Sequence, residues 1–560
     1  MNKKLLLSAA VLGSMVCAQS VWAAPVISQA DVNAANSIGA DLNRTRDYLE
    51  KERVARQIAA DRNNKTEKIQ TSPEKQQEAP AVTFKLQKLV TDPSTVLTEA
   101  ELKEITSAYE GKEVAIKDLY KAVADINALY AKKGYITCRA FLQGQTIKDG
   151  TVKITLIEGR TGNVNVVDNK STKDKYITNR LHLPAGEPAN VNELNKDLLR
   201  FNATNDAQLR IVMKAGEKPG TTDYVIQTYE PQLYNWNLFT DNAGSYSSGQ
   251  YRVGAFFQDR SLSGNRDSLL LGGVMSKGSK AVSAGYTRSV GRSGAKLSAS
   301  YNSNAVHTVR GSYVKGHSNA YGLAYRQPWI VNEKTRTEAS LEYGHQNSKS
   351  DFMSGGTRFN IVDDTVDDLT VGFAMTNYGN SHILYHKHGY TMGRGKQEAT
   401  MNTNSSDHYS FYKLDGLYQK VWKHGQGITM RGELQISAND NLLSSRKLYI
   451  GGMYSVRGYR ENYLGGDSGF VASVEYNVPI TRNRQTSAYT FFDYGKVYGE
   501  VAESANDERI LYSTGIGIKS NITKNISANL ALAFPLRKEF AGKAEEVSKT
   551  RLHFIVSGQF

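Results

Sequence analysis

The sequence predicts a transmembrane β-barrel of about 16 antiparallel strands, preceded by an amphipathic helix and two small α+β modules. Three observations carry this. After Pro231 helical spacing disappears and apolar residues alternate instead, as in Tyr251, Val253, Ala255, Phe257 and again in Phe470, Ala472, Val474, Tyr476, Val478. The composition is aromatic, glycine-rich and proline-poor, with Tyr 32, Gly 48 and Pro 11. A glycine-rich loop, Val456-Arg457-Gly458-Tyr459, precedes by about one hairpin a strand-like segment, Phe491-Phe492-Asp493-Tyr494-Gly495.

The amino terminus reads as an export signal over residues 1–23. Lys3 and Lys4 precede the apolar run Leu5 to Val16, and Val21-Trp22-Ala23 places small side chains where a signal peptidase cuts, before Ala24. Ser14-Met15-Val16 lacks the apolar residue that a lipoprotein signal needs ahead of Cys17. The mature chain then keeps one thiol, Cys138, expected as a small half-buried residue. A lone thiol closes no internal disulfide, and no Cys/His group has zinc spacing, so no metal and no cofactor are expected.

Residues 28–62 place Ile38, Leu42, Leu49 and Ile58 at roughly helical spacing, with Asp47/Lys51 and Glu52/Arg56 as i,i+4 ion pairs. The apolar stripe is too narrow for a core, so the helix docks in a groove or plugs a polar channel. Residues 63–81, with Pro73, Pro80 and many Lys, Glu and Gln, read as a flexible linker with nothing to bury.

A first module is expected over residues 82–161. Val82, Phe84 and Leu86 alternate as a strand; Thr98-Glu99-Ala100-Glu101 is a capping box; Ile116, Leu119, Val123, Ile126 and Leu129 share a helix face that Gly134 ends. Strands Tyr135 to Leu142 and Thr151 to Glu158 follow. Residues 162–230 repeat the plan: a strand near Val164 to Val167, a helix near Lys173 to Asn179, a helix that buries Val191, Leu194, Leu198 and Phe201, then strands Ala207 to Ala215 and Asp223 to Tyr229. The strand with Ala207, Leu209, Ile211 and Met213 is a candidate open edge for adding a strand from a partner.

Residues 231–560 form the barrel. No stretch after the signal approaches 18 consecutive apolar residues, which excludes helical spans. A mean hydropathy of -0.47 would suggest a soluble protein, but only every second residue of a barrel strand meets lipid. Strands of about ten residues plus turns use roughly 20 residues each, which accommodates the strand number, and an open sheet in lipid would leave backbone groups unpaired, so it must close. The run Leu552, Phe554, Val556, Phe560 favours this over a soluble sandwich or propeller. The net charge of +14 is assigned to basic helices and lumen; nucleic acid is not an expected partner of an exported chain.

Two motifs suggest enzymes and are set aside. Gly466-Asp467-Ser468-Gly469 copies the nucleophile tetrapeptide of trypsin-like proteases, but no His lies in a matching context, so it is read as a turn into the strand Phe470 to Val478. Gly393-Arg394-Gly395-Lys396 lacks the spacing and the Ser/Thr of a phosphate loop. The chain is read as no enzyme.

Lys133-Gly134-Tyr135-Ile136-Thr137 with Arg139, Ile157-Glu158-Gly159-Arg160, Asp241-Asn242-Ala243-Gly244-Ser245, Val456-Arg457-Gly458-Tyr459 and Phe492-Asp493-Tyr494-Gly495 occur in this order between the signal and Phe560. In them the chain resembles the transporters of two-partner secretion, the hemolysin and filamentous-hemagglutinin secretion/activation proteins of the outer-membrane assembly-factor superfamily. The resemblance covers essentially the mature chain. Cys138 departs from it, standing where the family more often has a small polar residue.

The resemblance implies a plug helix, a linker, two polypeptide-transport-associated (POTRA) modules in the periplasm and a 16-stranded barrel in the outer membrane of a Gram-negative-type cell. It also implies that the loop of Val456 to Tyr459 folds inward through the lumen. A buried guanidinium needs a partner, and Asp493 is the candidate; Gly458 would let backbone approach the wall, and Tyr459 would supply area. A charge at membrane depth should face the lumen, which turns Phe492 and Tyr494 outward. The gating set is therefore Val456, Arg457, Gly458, Tyr459, Asp493 and Gly495. The implied activity is secretion of one large exoprotein, an adhesin, hemolysin or contact-dependent toxin, by a monomer in outer-membrane lipid. The alternative is a factor that inserts other barrels; a passive porin would lack the periplasmic region.

Overall fold

The computed structural model describes residue 69 and residues 83–310, 313–354, 357–398, 407–499, 509–538 and 547–560. The expected signal, the helix of 28–62 and most of the segment 63–81 lie outside the described residues. Ile69 departs from a linker with nothing to bury: it packs against the second module, and its N–H donates to Asn195 Oδ1 at 3.1 Å.

In the first module, Thr98 caps a helix Glu99–Ser107 (α1) with both halves of the capping box in place. Helix Ile116–Lys133 (α2) buries Leu119, Val123, Ile126 and Tyr130 against Leu89 and Ile154 of the sheet, and ends on Gly134 at φ +90°. The sheet has Thr151–Glu158 at its centre, parallel to Lys88–Thr91 and antiparallel to Cys138–Phe141. The expected first strand is divided: Thr83–Lys85 pairs instead with Glu113–Ala115, a short strand that no alternation announced. Cys138 is fully buried, not half-buried, because it opens a strand whose alternate residues face α2; burial pushes its thiol up to about 11.

The second module has helices Asp174–Thr178 (α3) and Val191–Thr204 (α4) over a sheet with Thr221–Tyr229 between Arg160–Val167 and Gln208–Ala215. Asn190 joins the modules. Its side chain caps α4 while its amide donates to Lys133 O at 3.0 Å, and Val191 N–H donates to Gly134 O at 2.8 Å.

Sixteen strands, from Tyr234–Asp241 to Arg551–Gln559, close into one antiparallel barrel. The seam runs from Ile555↔Asp241 to Gln559↔Asn237, and Trp236 and Phe560 exchange backbone hydrogen bonds at 2.8 and 2.9 Å beyond it. At its other end the Asn242 amide stands in for a peptide unit, donating to Leu552 O (2.7 Å) and accepting from Phe554 N (3.0 Å). Outward faces carry the alternating apolar residues, such as Tyr321, Leu323, Tyr325 and Leu369, Val371, Phe373. Strand length varies more than expected: Tyr313–Val331, Thr335–Ser354 and Thr357–Tyr378 have 19, 20 and 22 residues. Strands this long outreach an apolar band of about 25 Å, so their ends stand clear of it as a wall.

The second module sits on the turn after the second barrel strand. Arg266 Nε donates to Asp206 Oδ1 at 2.9 Å, Ser261 Oγ to Ser171 O at 2.7 Å, and Lys173 N–H to Gly264 O at 2.9 Å.

Candidate functional site

Strands Gly427–Ser437 and Ser468–Pro479 are neighbours in the wall, yet thirty residues, 438–467, connect them. The connection folds back into the barrel and buries its own tip: Val456 is 0% exposed, Tyr459 1% and Arg457 7%. Two short strands, Leu448–Ile450 and Leu464–Gly466, pair to brace it.

Arg457 and Asp493 meet in the bidentate geometry expected of a guanidinium and a carboxylate. Nε donates to Oδ2 and Nη2 to Oδ1, both at 2.7 Å, and the Arg457 backbone N–H adds a third bond to Oδ2 at 3.0 Å. Asp493 is wholly buried on the lumenal face of strand Thr486–Tyr498, whereas Phe492 is 46% exposed on the outer face, the orientation that charge at membrane depth dictates. The guanidinium also lies 3.5 Å over the Phe491 ring, the lumenal neighbour of Asp493.

The other predicted residues make this approach possible. Gly458 has φ +99°, and a Cβ there would stand 3.1 to 3.4 Å from Pro535 of the adjacent wall. A Cβ on Gly495 would meet Val456 Cγ2 at 2.9 Å, so the missing side chain is the space that Val456 fills. Tyr459 donates to both Tyr512 O (3.0 Å) and Arg537 O (2.9 Å), which ties the tip to two further strand ends.

Four participants were not anticipated. Glu475, 3% exposed on strand Ser468–Pro479, accepts from Arg457 Nη1 at 2.7 Å and pairs with Lys519 Nζ at 2.5 Å and Arg431 Nη1 at 3.5 Å. Ser473 Oγ accepts from Arg457 Nη2 at 3.1 Å and donates to Asp493 Oδ1 at 2.7 Å. The rule that orients Asp493 would have flagged Glu475, a charge in a strand of alternating apolar residues. The arrangement holds Arg457 between two buried carboxylates. What it can do is keep the tip against the wall or let it go.

The candidate edge strand of the second module needs correction in its side chains. Gln208–Ala215 is at a sheet edge, but Ala207, Leu209 and Ile211 are buried in the module core and Met213 packs against it, because they face the helices. An added strand would meet the backbone and the opposite face, with Arg210, Val212 and Lys214.

A closed barrel with a buried arginine loop, carried above two α+β modules, defines an outer-membrane transporter barrel with POTRA modules in the periplasm. The chain belongs to the haemolysin secretion/activation protein family ShlB/FhaC/HecB, whose model matches residues 220–520; residues 84–159 match the ShlB-type POTRA domain. Among curated relatives, the heme/hemopexin transporter protein HuxB of Haemophilus influenzae is 24% identical over 78% of this chain and 80% of its own length. The outer membrane transporter CdiB of Dickeya dadantii is 23% identical over 69% of this chain and 71% of its own. Among solved structures, CdiB from Escherichia coli superposes with a TM-score of 0.68 at 16% identity, covering 94% of this chain and 99% of that one. BamA from Haemophilus ducreyi lacking POTRA domains 1–3 shares the fold, with a TM-score of 0.52 at 15% identity, covering 86% of this chain and 100% of that one.

Proposed function

We propose that this chain secretes a single large exoprotein through its barrel, and that release of Arg457 from Asp493 and Glu475 opens the lumen. The observation that carries the reading is the buried arginine at the tip of an inward-folded loop in a chain of this family. The relatives' names, which include heme/hemopexin, CdiB and hemolysin transporters, support a secreted exoprotein as the cargo, whether an adhesin, a cytolysin or a contact-dependent toxin.

In this reading residues 1–23 are removed on export, 28–62 plug the lumen at rest, and the linker 63–81 gives the helix reach to leave from where Ile69 is held on the second module. Modules of residues 82–161 and 162–230 capture the extended amino-terminal region of the cargo, by groove contacts or by strand addition along Gln208–Ala215. Residues 231–560 stand in outer-membrane lipid as a monomer, since one chain closes its own barrel. No nucleotide and no covalent chemistry enter: direction comes from the cargo folding outside, which withdraws the unfolded chain from the equilibrium.

Arg457→Ala should abolish secretion while the barrel still reaches the membrane; loss of the barrel itself would assign the contact to assembly. Channel recordings with and without residues 28–62 test the plug, since deletion raises the conductance of a plugged transporter and leaves that of an open pore unchanged. A second reading, insertion of other barrels, draws on the fold shared with BamA. It requires depletion of other outer-membrane barrels when the chain is removed.

A further inference from the structure

The lumenal loop carries a second buried guanidinium, which grips a different arc of the wall. Arg446, 7% exposed, donates from Nε to Asp368 Oδ2 at 2.7 Å and from Nη1 to Gln346 Oε1 at 2.8 Å, and the Tyr409 hydroxyl also donates to Asp368. These partners stand on strands Thr357–Tyr378, Thr335–Ser354 and His408–Val421, whereas the acceptors of Arg457 stand on Ser468–Pro479 and Thr486–Tyr498. Asp364, 2% exposed, lies two rungs from Asp368 on the same face of the strand.

The stem is also tied to its own flanks. Gln435 Nε2 donates to Arg446 O and to Asp467 O, both at 2.9 Å. Asp467, 1% exposed, accepts from the N–H groups of Asn441 and Leu442 at 2.9 Å, fastening the outgoing leg of the loop to the incoming one. Leu442 and Leu443 pack among Val366, Tyr409 and Phe411. A Cβ on Gly393 would lie 2.2 Å from the Tyr409 ring, and one on Gly395 would lie 2.3 Å from Leu443 Cδ1. Both tetrapeptides set aside as enzyme motifs thus have a place here: Gly393 and Gly395 make room for the anchor, and Asp467 closes it.

We propose that Leu442 to Arg446 form a second anchor that stays fixed during export, with Arg446 and Asp368 as positioning residues. Only the tip from Val456 to Tyr459 leaves the wall, turning about Gly451 and Gly452, whose φ values are +104° and +106°. Besides its grip on the wall, the stem has ties between the loop's two legs and its entry strand that persist whatever the tip does, whereas the acceptors of the Arg457 guanidinium all stand on the wall. The inference rests on the reading that the tip must release, and the test separates the two.

Two cysteine pairs are introduced singly into the full chain in cells, Leu443→Cys with Gly395→Cys at the stem and Val456→Cys with Gly495→Cys at the tip. In each pair a Cβ added at the glycine would meet the partner's side chain, 2.3 Å from Leu443 Cδ1 and 2.9 Å from Val456 Cγ2, so the two positions adjoin. Bond formation is read by thiol labelling, and cargo in the supernatant is measured with and without dithiothreitol. The stem bond should form and leave secretion at the wild-type level; the tip bond should abolish secretion until it is reduced. A stem bond that blocks secretion reversibly, or stem thiols that do not couple where the tip thiols do, overturns the fixed anchor. A harmless tip bond defeats the release reading alone. Arg446→Ala should lose secretion with the barrel inserted, and normal secretion by that variant also overturns the proposal.

Discussion

Arg457→Ala deletes the donor of four side-chain contacts at 2.7 to 3.1 Å and strands Asp493, which is wholly buried. Asp493 then keeps only the Ser473 hydroxyl at 2.7 Å and the residue 457 backbone N–H at 3.0 Å. Removing one partner of a buried pair costs about 3–5 kcal/mol. Glu475 is the lesser casualty, because Lys519 at 2.5 Å and Arg431 at 3.5 Å remain beside it. Arg457→Lys preserves the charge but cannot fork across Asp493 while reaching Glu475, so about 2 kcal/mol or more of the loss should persist. Asp493→Ala in the Arg457→Ala background removes a carboxylate already stranded, so the double variant should fall short of the sum of the singles by up to about 3 kcal/mol. The assay is urea unfolding of the barrel in lipid vesicles followed by tryptophan fluorescence, with secretion as a parallel readout. Additive single costs, or an Arg457→Lys barrel as stable and as active as wild type, would refute the reasoning.

Gly458→Ala should destabilise the loop by about 1–3 kcal/mol, since alanine must hold a left-handed φ with its Cβ against Pro535; protease nicking of the loop in intact cells checks this. The first module should loosen only in acid. Lys133 and the Thr98 groups hold Glu101 at about 2, and hydrogen bonds from Ser94, Thr95 and Tyr130 outweigh burial to keep Glu158 below its ordinary value. Both folded values lie below the unfolded ones, so their stabilisation is complete above the ordinary 4.5 and is lost as pH falls from there toward 2. Limited proteolysis of the modules should therefore be flat from neutral pH down to the ordinary 4.5 and accelerate below it; acceleration at neutral pH would contradict the assignment. Cys138, buried and with its thiol pushed up to about 11, should resist thiol reagents at mildly alkaline pH until the chain is denatured.

Much of the fold was legible because barrel strands and module helices obey two simple periods. The capping box at Thr98, the cap at Gly134 and the outward turn of Phe492 all follow from local rules that tertiary packing did not override. The Arg457/Asp493 pairing was legible because the resemblance placed the loop and charge burial then demanded a partner. Arg446 with Asp368 was not, since 78 residues separate them and only barrel closure with the infolded loop brings them together. The edge strand of the second module misled for a related reason: alternation marks which side chains share a face, and the apolar face of Gln208–Ala215 belongs to the module's own core. The short pair Thr83–Lys85 with Glu113–Ala115 is set by its partner rather than by any pattern in three residues.

The central claim is export of one partner. Culture-supernatant proteins compared by mass spectrometry, in cells with and without this chain, test it most directly. Selective loss of one very large secreted protein is the predicted result. An unchanged supernatant alongside depleted outer-membrane barrels would contradict it and favour barrel insertion.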